Sequence, residues 1–312
     1  MNELLAALVQ LGIIDRATAD RINRNLDPQQ AQAWAEGVMY DNFAAALDGQ
    51  RDRLLRLVDA TGGRPTQAQI AAFWRAEDDA FFANVQRGLY DVAQERAITS
   101  IVSTGAFDMW ELVNQTVIDW VNDYYTNLDV EIVGSIPNLN ATGRTEFARA
   151  FIDWQRGELE TAGYADGLPQ LIRAIEPTFG QVRAERVAVT ETTRIFAEAT
   201  RQADSANPYV VAHRIYTAGD ERVCGVCGPL HGMVIPKAQR DAPHPTLGGI
   251  AGPPFHVNCR CVIISETTAT LQTALPPEER YVWNAETYAN YQAEQALNRR
   301  APNLVDTLAG RP

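Results

Sequence analysis

All four cysteines of this 312-residue chain fall in one short window. They read Cys224-Gly-Val-Cys227 and His256-Val-Asn-Cys259-Arg-Cys261. Between and around them the chain is dense in turn-formers, among them Gly228, Pro229, Gly232, Pro236, Pro243, Pro245, Gly248, Gly249, Pro253 and Pro254. Glycine loses the most backbone entropy on folding and proline lacks a hydrogen-bond donor, so such a stretch cannot sustain long regular elements. Something beyond local propensity must order it. The clustered thiols are the candidate cross-link. The rest of the chain is long enough to bury an ordinary apolar core without help from metal or disulfides.

What closes the cross-link depends on the compartment. The leading segment, Asn2 to Leu8, has neither a basic start nor a cleavage-type end, so no signal peptide is expected. No apolar run is long enough to span a bilayer, and no membrane partner is expected. In a reducing cytoplasm a C-x-x-C pair reads as metal-binding or redox-active before it reads as a structural disulfide. Zinc takes four tetrahedral ligands from thiolates and imidazoles, and C-x-x-C is a common half-site. Gly225 and Gly228 suit its tight turn. The other half must come from His256, Cys259 and Cys261. In an extended segment Cys259 and Cys261 point to one side, with Arg260 facing away. In a tight turn His256 and Cys259 form the pair instead. Five candidates compete for four places; the reading leans to Cys224, Cys227, Cys259 and Cys261, with His256 beside them. One structural zinc ion is expected, with paired disulfides and uncoordinated thiols as competing readings. The H-x-E companion of a nucleobase deaminase is absent, as is the H-E-x-x-H of a zinc protease. His213, His231 and His244 are read as surface, packing or turn residues.

Up to about residue 206 the chain reads as helices. Asp27-Pro28 is a start signal for a helix carrying Trp34, Val38, Phe43 and Leu47. Thr61-Gly-Gly-Arg-Pro65 is a break, and Thr66 caps a long helix with Phe81, Val85, Leu89 and Val92 at helical spacing. Glu77-Asp78-Asp79 reads there as a solvated turn. Asp108 to Tyr125 is amphipathic. Ser135 to Thr142 reads as a connector into a helix bearing Phe147, Phe151 and Trp154. A short helix from Asp166 is expected to stop at Glu176-Pro177, and the last strong helix spans Val182 to about Asp204. Three short strands follow, at His213–Thr217, Met233–Ile235 and Cys261–Ile264. Past Pro276-Pro277 a helix-like tail carries Trp283, Tyr288 and Tyr291. The fold class is therefore mainly α with a small α+β module. The expected regions are a helical 1–125, a helical 126–206, a zinc-stapled, β-hairpin-like module at 207–268, and a tail at 269–312.

Glu191 lies on the inward stripe of the Val182–Asp204 helix, between Ala188 and Ile195. An unpaired buried carboxylate is costly, so a cationic partner is required. Arg260, next to the cysteines, is the expected one. The net charge of −12 argues against a protein that coats DNA, because phosphate neutralisation needs excess Lys and Arg. The scattered Arg222, Lys237, Arg240 and Arg260 make no basic stripe of the kind a zinc-ribbon nucleic-acid binder needs. A zinc-dependent hydrolase or nucleotide-acting enzyme built on Glu191, Arg260, His256 and His231 is the other alternative. It lacks nucleophile–base spacing and a phosphate-cradling glycine loop.

Taken in order, Thr190-Glu191, Cys224-x-x-Cys227, Leu230-His-Gly232 and His256-x-x-Cys259-Arg260-Cys261 resemble the Mu-F-like head morphogenesis proteins of tailed bacteriophages. The resemblance covers roughly residues 130–265. It implies a non-enzymatic minor head protein, assembled in the host cytoplasm and carried in the virion, in the head interior or at the portal vertex. Implied partners are the phage portal protein and a major capsid or scaffolding protein, with packaged DNA touched only indirectly and an influence on packaging or ejection. Some such proteins carry a further carboxy-terminal enzyme or toxin domain; the short stretch after Cys261 leads to the plain structural form as the expectation.

Overall fold

The computed structural model describes residues 3–12, 14–24, 27–127, 135–157, 159, 167–217, 224–237 and 252–274. Helices dominate: α1 (Glu3–Gln10), α2 (Arg16–Arg24), α3 (Pro28–Ala60), α4 (Gln67–Thr104), α5 (Trp110–Thr126), α6 (Ile136–Arg156), α7 (Leu168–Phe179) and α8 (Gln181–Ala206). Then come β1 (Val210–Tyr216), β2 (Val234–Pro236), β3 (Val262–Thr267) and the short α9 (Thr268–Ala274). The mainly helical class with a small sheet near its carboxy-terminal end is as the sequence predicts.

Local chemistry explains the helix ends. Asp27 Oδ1 accepts the Gln30 N–H at 3.0 Å, capping α3. Thr66 and Gln69 form a reciprocal capping box at the start of α4, with bonds of 2.8 and 3.2 Å. The break between α3 and α4 turns on Gly62 and Gly63, both at positive φ. Phe81, Val85, Leu89 and Val92 are buried as their spacing requires. Beyond Val92, α4 is buried on all sides, through Glu95, Arg96, Thr99, Ser100, Ile101 and Val102. A helix enclosed all round must satisfy its polar side chains internally. Arg96 does so by donating to Thr200 Oγ1 on α8 at 2.8 Å and to the Ile263 carbonyl on β3 at 2.6 Å. Its burial draws its pKa down to about 10.

Three local expectations give way. Glu77 is no solvated turn residue: it is buried, and Arg53 of α3 grips both its oxygens at 2.6 and 2.7 Å. Asp78 accepts from Asn140 of α6 at 2.8 Å. Interhelical pairing thus overrides the charge run. Ser135 is itself the N-cap of α6, and Pro137 lies in the first turn, where its missing N–H costs nothing. α7 continues past Pro177 to Phe179, because a proline in the last turn removes one bond only and Phe179 is anchored in the core. The stretch carrying Trp283, Tyr288 and Tyr291 lies outside the described residues, as does His244.

One continuous apolar core draws on residues from Ala31 to Val262, including Trp74, Phe81, Tyr125, Phe147, Phe179 and Ile195. The sheet has the order β2-β1-β3, with both pairings antiparallel. It is bolted to the helices through Asp204 near the end of α8. That carboxylate accepts from Ser100 of α4 (2.8 Å) and Ser265 of β3 (2.6 Å), and bonds His213 of β1 (2.7 Å). Arg214 and Glu266 add a buried pair across β1 and β3 at 2.5 Å. A second, smaller core then forms from Ile215, Leu230, Met233, Ile235, Ile263 and Ala197 of α8. The cysteines lie in it.

Candidate metal centre

Two tight turns carry the cysteines. In the first, the N–H groups of Cys227 and Gly228 both donate to the Cys224 carbonyl, at 3.1 and 3.0 Å. The Cys227 N–H also points at Cys224 Sγ, 3.4 Å away. In the second, Cys259 N–H donates to the His256 carbonyl at 3.1 Å, and Asn258 takes φ 65°. The turn sets His256 toward Cys224 and Cys227 and leaves Cys259 and Cys261 together beside Cys227.

The turns face one another. His256 Nε2 stands 3.1 Å from Cys224 Sγ and 2.9 Å from Cys227 Sγ. Cys227 Sγ is 3.8 Å from Cys259 Sγ. The ligand atoms of Cys224, Cys227 and His256 lie within 4.8 Å of one another, and so do those of Cys227, Cys259 and Cys261. All four thiols are free rather than disulfide-bonded. The other ring nitrogen of His256, Nδ1, lies 2.7 Å from the Val257 carbonyl. A protonated Nδ1 leaves the Nε2 lone pair toward the sulfurs, the tautomer a metal ligand needs.

Electrostatics points the same way. Hydrogen bonds with Cys227 and Cys261 draw the Cys259 thiol down to about 3, against the effect of burial. The bond to Cys259 and burial push Cys227 far up. For Cys261 the bond with Cys227 lowers the pKa, but the bond with Cys259 and burial outweigh it. Burial and mutual repulsion thus disfavour several negative charges among these close thiols. Crowded buried thiols lose further protons only to a cation. A tetrahedron with Zn–S bonds of about 2.3 Å has S···S edges of about 3.8 Å, which is the Cys227–Cys259 spacing. The sulfur and imidazole donors fit a soft or borderline ion. These residues can hold a metal ion.

Residues 164–264 match the profile of the family described as Phage Mu protein F like protein. That segment belongs to the Mu F like family. It is a phage head-morphogenesis family, and the match takes in α7, α8, all three strands and both cysteine turns. No curated protein and no solved structure matches the chain. Among the described residues, no helix is long and apolar enough to cross a membrane.

Within the Mu F like segment, Glu191 is buried, but the expected Glu191–Arg260 pair is not formed. Glu191 Oε2 accepts from Tyr125 Oη of α5 at 3.0 Å and from Arg194 Nε at 3.1 Å. Burial, then the Glu191 charge, raises the Tyr125 pKa well above its usual range. Burial acts against the charge of Arg194, but Glu191 and the neighbouring tyrosines raise its pKa overall. Arg260 turns instead to Glu36 of α3, 3.1 Å away. The physical reason is direction: Glu191 faces α5, while the second cysteine turn rests on the α8–α3 side. His231 is not at the cysteine cluster; its Nδ1 lies 2.9 Å from Thr217 Oγ1. Sequence reading missed Glu36, Gln32 and Thr193, and singled out Thr190 only within the Thr190-Glu191 motif; all four contact the second turn or its anchor. Only Thr190 and Thr193 left a signal, a pair of hydroxyls three apart on one helix face.

Proposed function

We propose that this protein is a structural minor head protein of a tailed bacteriophage that works at or near the portal vertex. The observation that carries the reading is the Mu F like match over residues 164–264, which spans the module built around the cysteines. Its partners are the portal protein and a major capsid or scaffolding protein. The helical body supplies the docking faces, and the net charge of −12 leaves packaged DNA as an indirect neighbour. One zinc ion is the resident metal, and bound zinc supplies a redox-inert, tetrahedral cross-link. The ligands are Cys224, Cys227, His256 and Cys259. His256 joins the set because its Nε2 is within 3.1 Å of both sulfurs of the first turn. Cys261 is the adjoining thiol.

Two experiments test the parts separately. Co-expressed with the portal protein of the same phage, the chain should co-purify with it and appear in assembled heads. Absence from both would overturn the location. For the metal, Cys259→Ser should abolish tight zinc binding and Cys261→Ser should retain it, with an X-ray absorption spectrum of three sulfurs and one nitrogen. A four-sulfur spectrum would return the site to the all-cysteine set.

A further inference from the structure

We propose that Thr190 and Thr193 of α8 are positioning residues of this centre, holding the His256–Cys261 arm in ligating shape before an ion arrives. The proposal rests on the reading of the cysteine cluster as a metal site. Thr193 is fully buried. Its hydroxyl donates to the Cys259 carbonyl at 2.5 Å and accepts from Gln32 Nε2 of α3 at 3.3 Å. Thr190 uses its hydroxyl in the same double way. It donates to the Arg186 carbonyl at 2.8 Å and accepts the Asn258 N–H at 3.0 Å.

Spacing and strain make these bonds purposeful. Residues three apart share a helix face, so both hydroxyls meet the same arm. One fixes the carbonyl of a ligand residue, and the other fixes the N–H of the residue before it. Asn258 sits at φ 65°, a left-handed conformation uncommon for non-glycine residues though asparagine tolerates it better than most, and the Thr190 bond fixes its N–H in that geometry. Neither threonine touches a sulfur; both act through the backbone that aims Cys259. The Cys224–Cys227 turn, by contrast, is closed by its own backbone bonds. Such outer contacts orient ligands, and losing one typically weakens metal binding about 10–100-fold. The Thr190-Glu191 motif thereby acquires a physical role distinct from that of Glu191, which faces α5.

The test uses the full chain, stripped of metal and titrated with zinc against a chromophoric chelator and with cobalt as a spectroscopic probe. Thr193→Val and Thr190→Val should weaken zinc binding about 10–100-fold while keeping the cobalt–thiolate bands of the unmodified chain. Thr193→Ser, which keeps the hydroxyl, should restore affinity. Equal affinity in both valine variants, or no recovery with serine, overturns the proposal. Thr190 is only half-buried, so its variant should still fold, with at most a small drop in the metal-free melting temperature, and it keeps the test open should Thr193→Val fail to fold. An unmodified chain that takes up neither metal overturns the metal reading itself, a result distinct from tight binding that ignores the threonines.

Discussion

Arg260 and Glu36 each keep 18% of their side chains exposed, so solvent screens their attraction. A half-buried pair still partly open to solvent contributes about 0.5–1 kcal/mol. A double-mutant cycle of Glu36→Ala and Arg260→Ala should return a coupling of that size, read from denaturant unfolding. The same cycle on Glu191 and Arg260 should give a coupling near zero. The burial of Glu191 was legible, because a carboxylate interrupts an apolar stripe at helical spacing. Its partners were not. Arg194 lies three residues on along the same helix, the first place a partner is sought, yet it is also the residue whose guanidinium stacks over Tyr124, 5.2 Å from the ring centre. Tyr125 comes from 66 residues away and carries no charge to announce itself. Partner choice depends on which way a face points, and spacing along one helix does not encode that.

Helices as elements were the most legible part. Caps at Asp27 and Thr66, and breaks at Gly62-Gly63, state their own boundaries through hydrogen bonds and backbone freedom. Burial of a whole helix was less legible. The stripe of α4 reads clearly to Val92, but its second half carries Glu95, Arg96, Thr99 and Ser100, which look solvated until Arg21 of α2 pairs with Glu95, the Glu95 carbonyl accepts from Thr99, and α8 and β3 supply partners for Arg96 and Ser100. Close approach of two helices was equally silent. A Cβ on Gly88 of α4 would stand 2.5 Å from Asn42 Nδ2 of α3, and Asn42 is itself held to the Val38 carbonyl at 2.7 Å. A glycine inside a helix otherwise costs stability relative to alanine. Gly88→Val should therefore destabilise by about 1–3 kcal/mol through overpacking. Its melting temperature should fall, with helical content below the transition unchanged. Of the strands, the sequence placed all three near their observed spans, because β-branched runs stand out against so much glycine and proline. That β1 is the central strand follows from Asp204 and His213, and no local signal carries that. At the metal centre the five candidate donors were legible from spacing, whereas the turn that brings His256 beside Cys227 depends on Asn258 adopting φ 65°.

For the whole molecule, the two cysteine turns are anchored unequally. The His256–Cys261 arm is held by Thr190, Thr193 and Arg260 to two long helices. The Cys224–Cys227 turn hangs from the β1–β2 hairpin. Removing metal should therefore loosen the hairpin turn before the helical body. Limited proteolysis of the full chain with a chelator present should cut between residues 210 and 262 first, leaving the amino-terminal helices intact; cutting unchanged by chelation would mean that the ion does not organise the module. The reach from Glu36 to Arg260 also has a consequence during synthesis. At ribosomal rates of roughly 5–20 residues per second, the 224 residues between them take about 10–45 s to emerge. For that interval α3 is made but its carboxy-terminal neighbours do not yet exist. The nascent front half therefore waits with part of its apolar surface uncovered until the last strand leaves the exit tunnel.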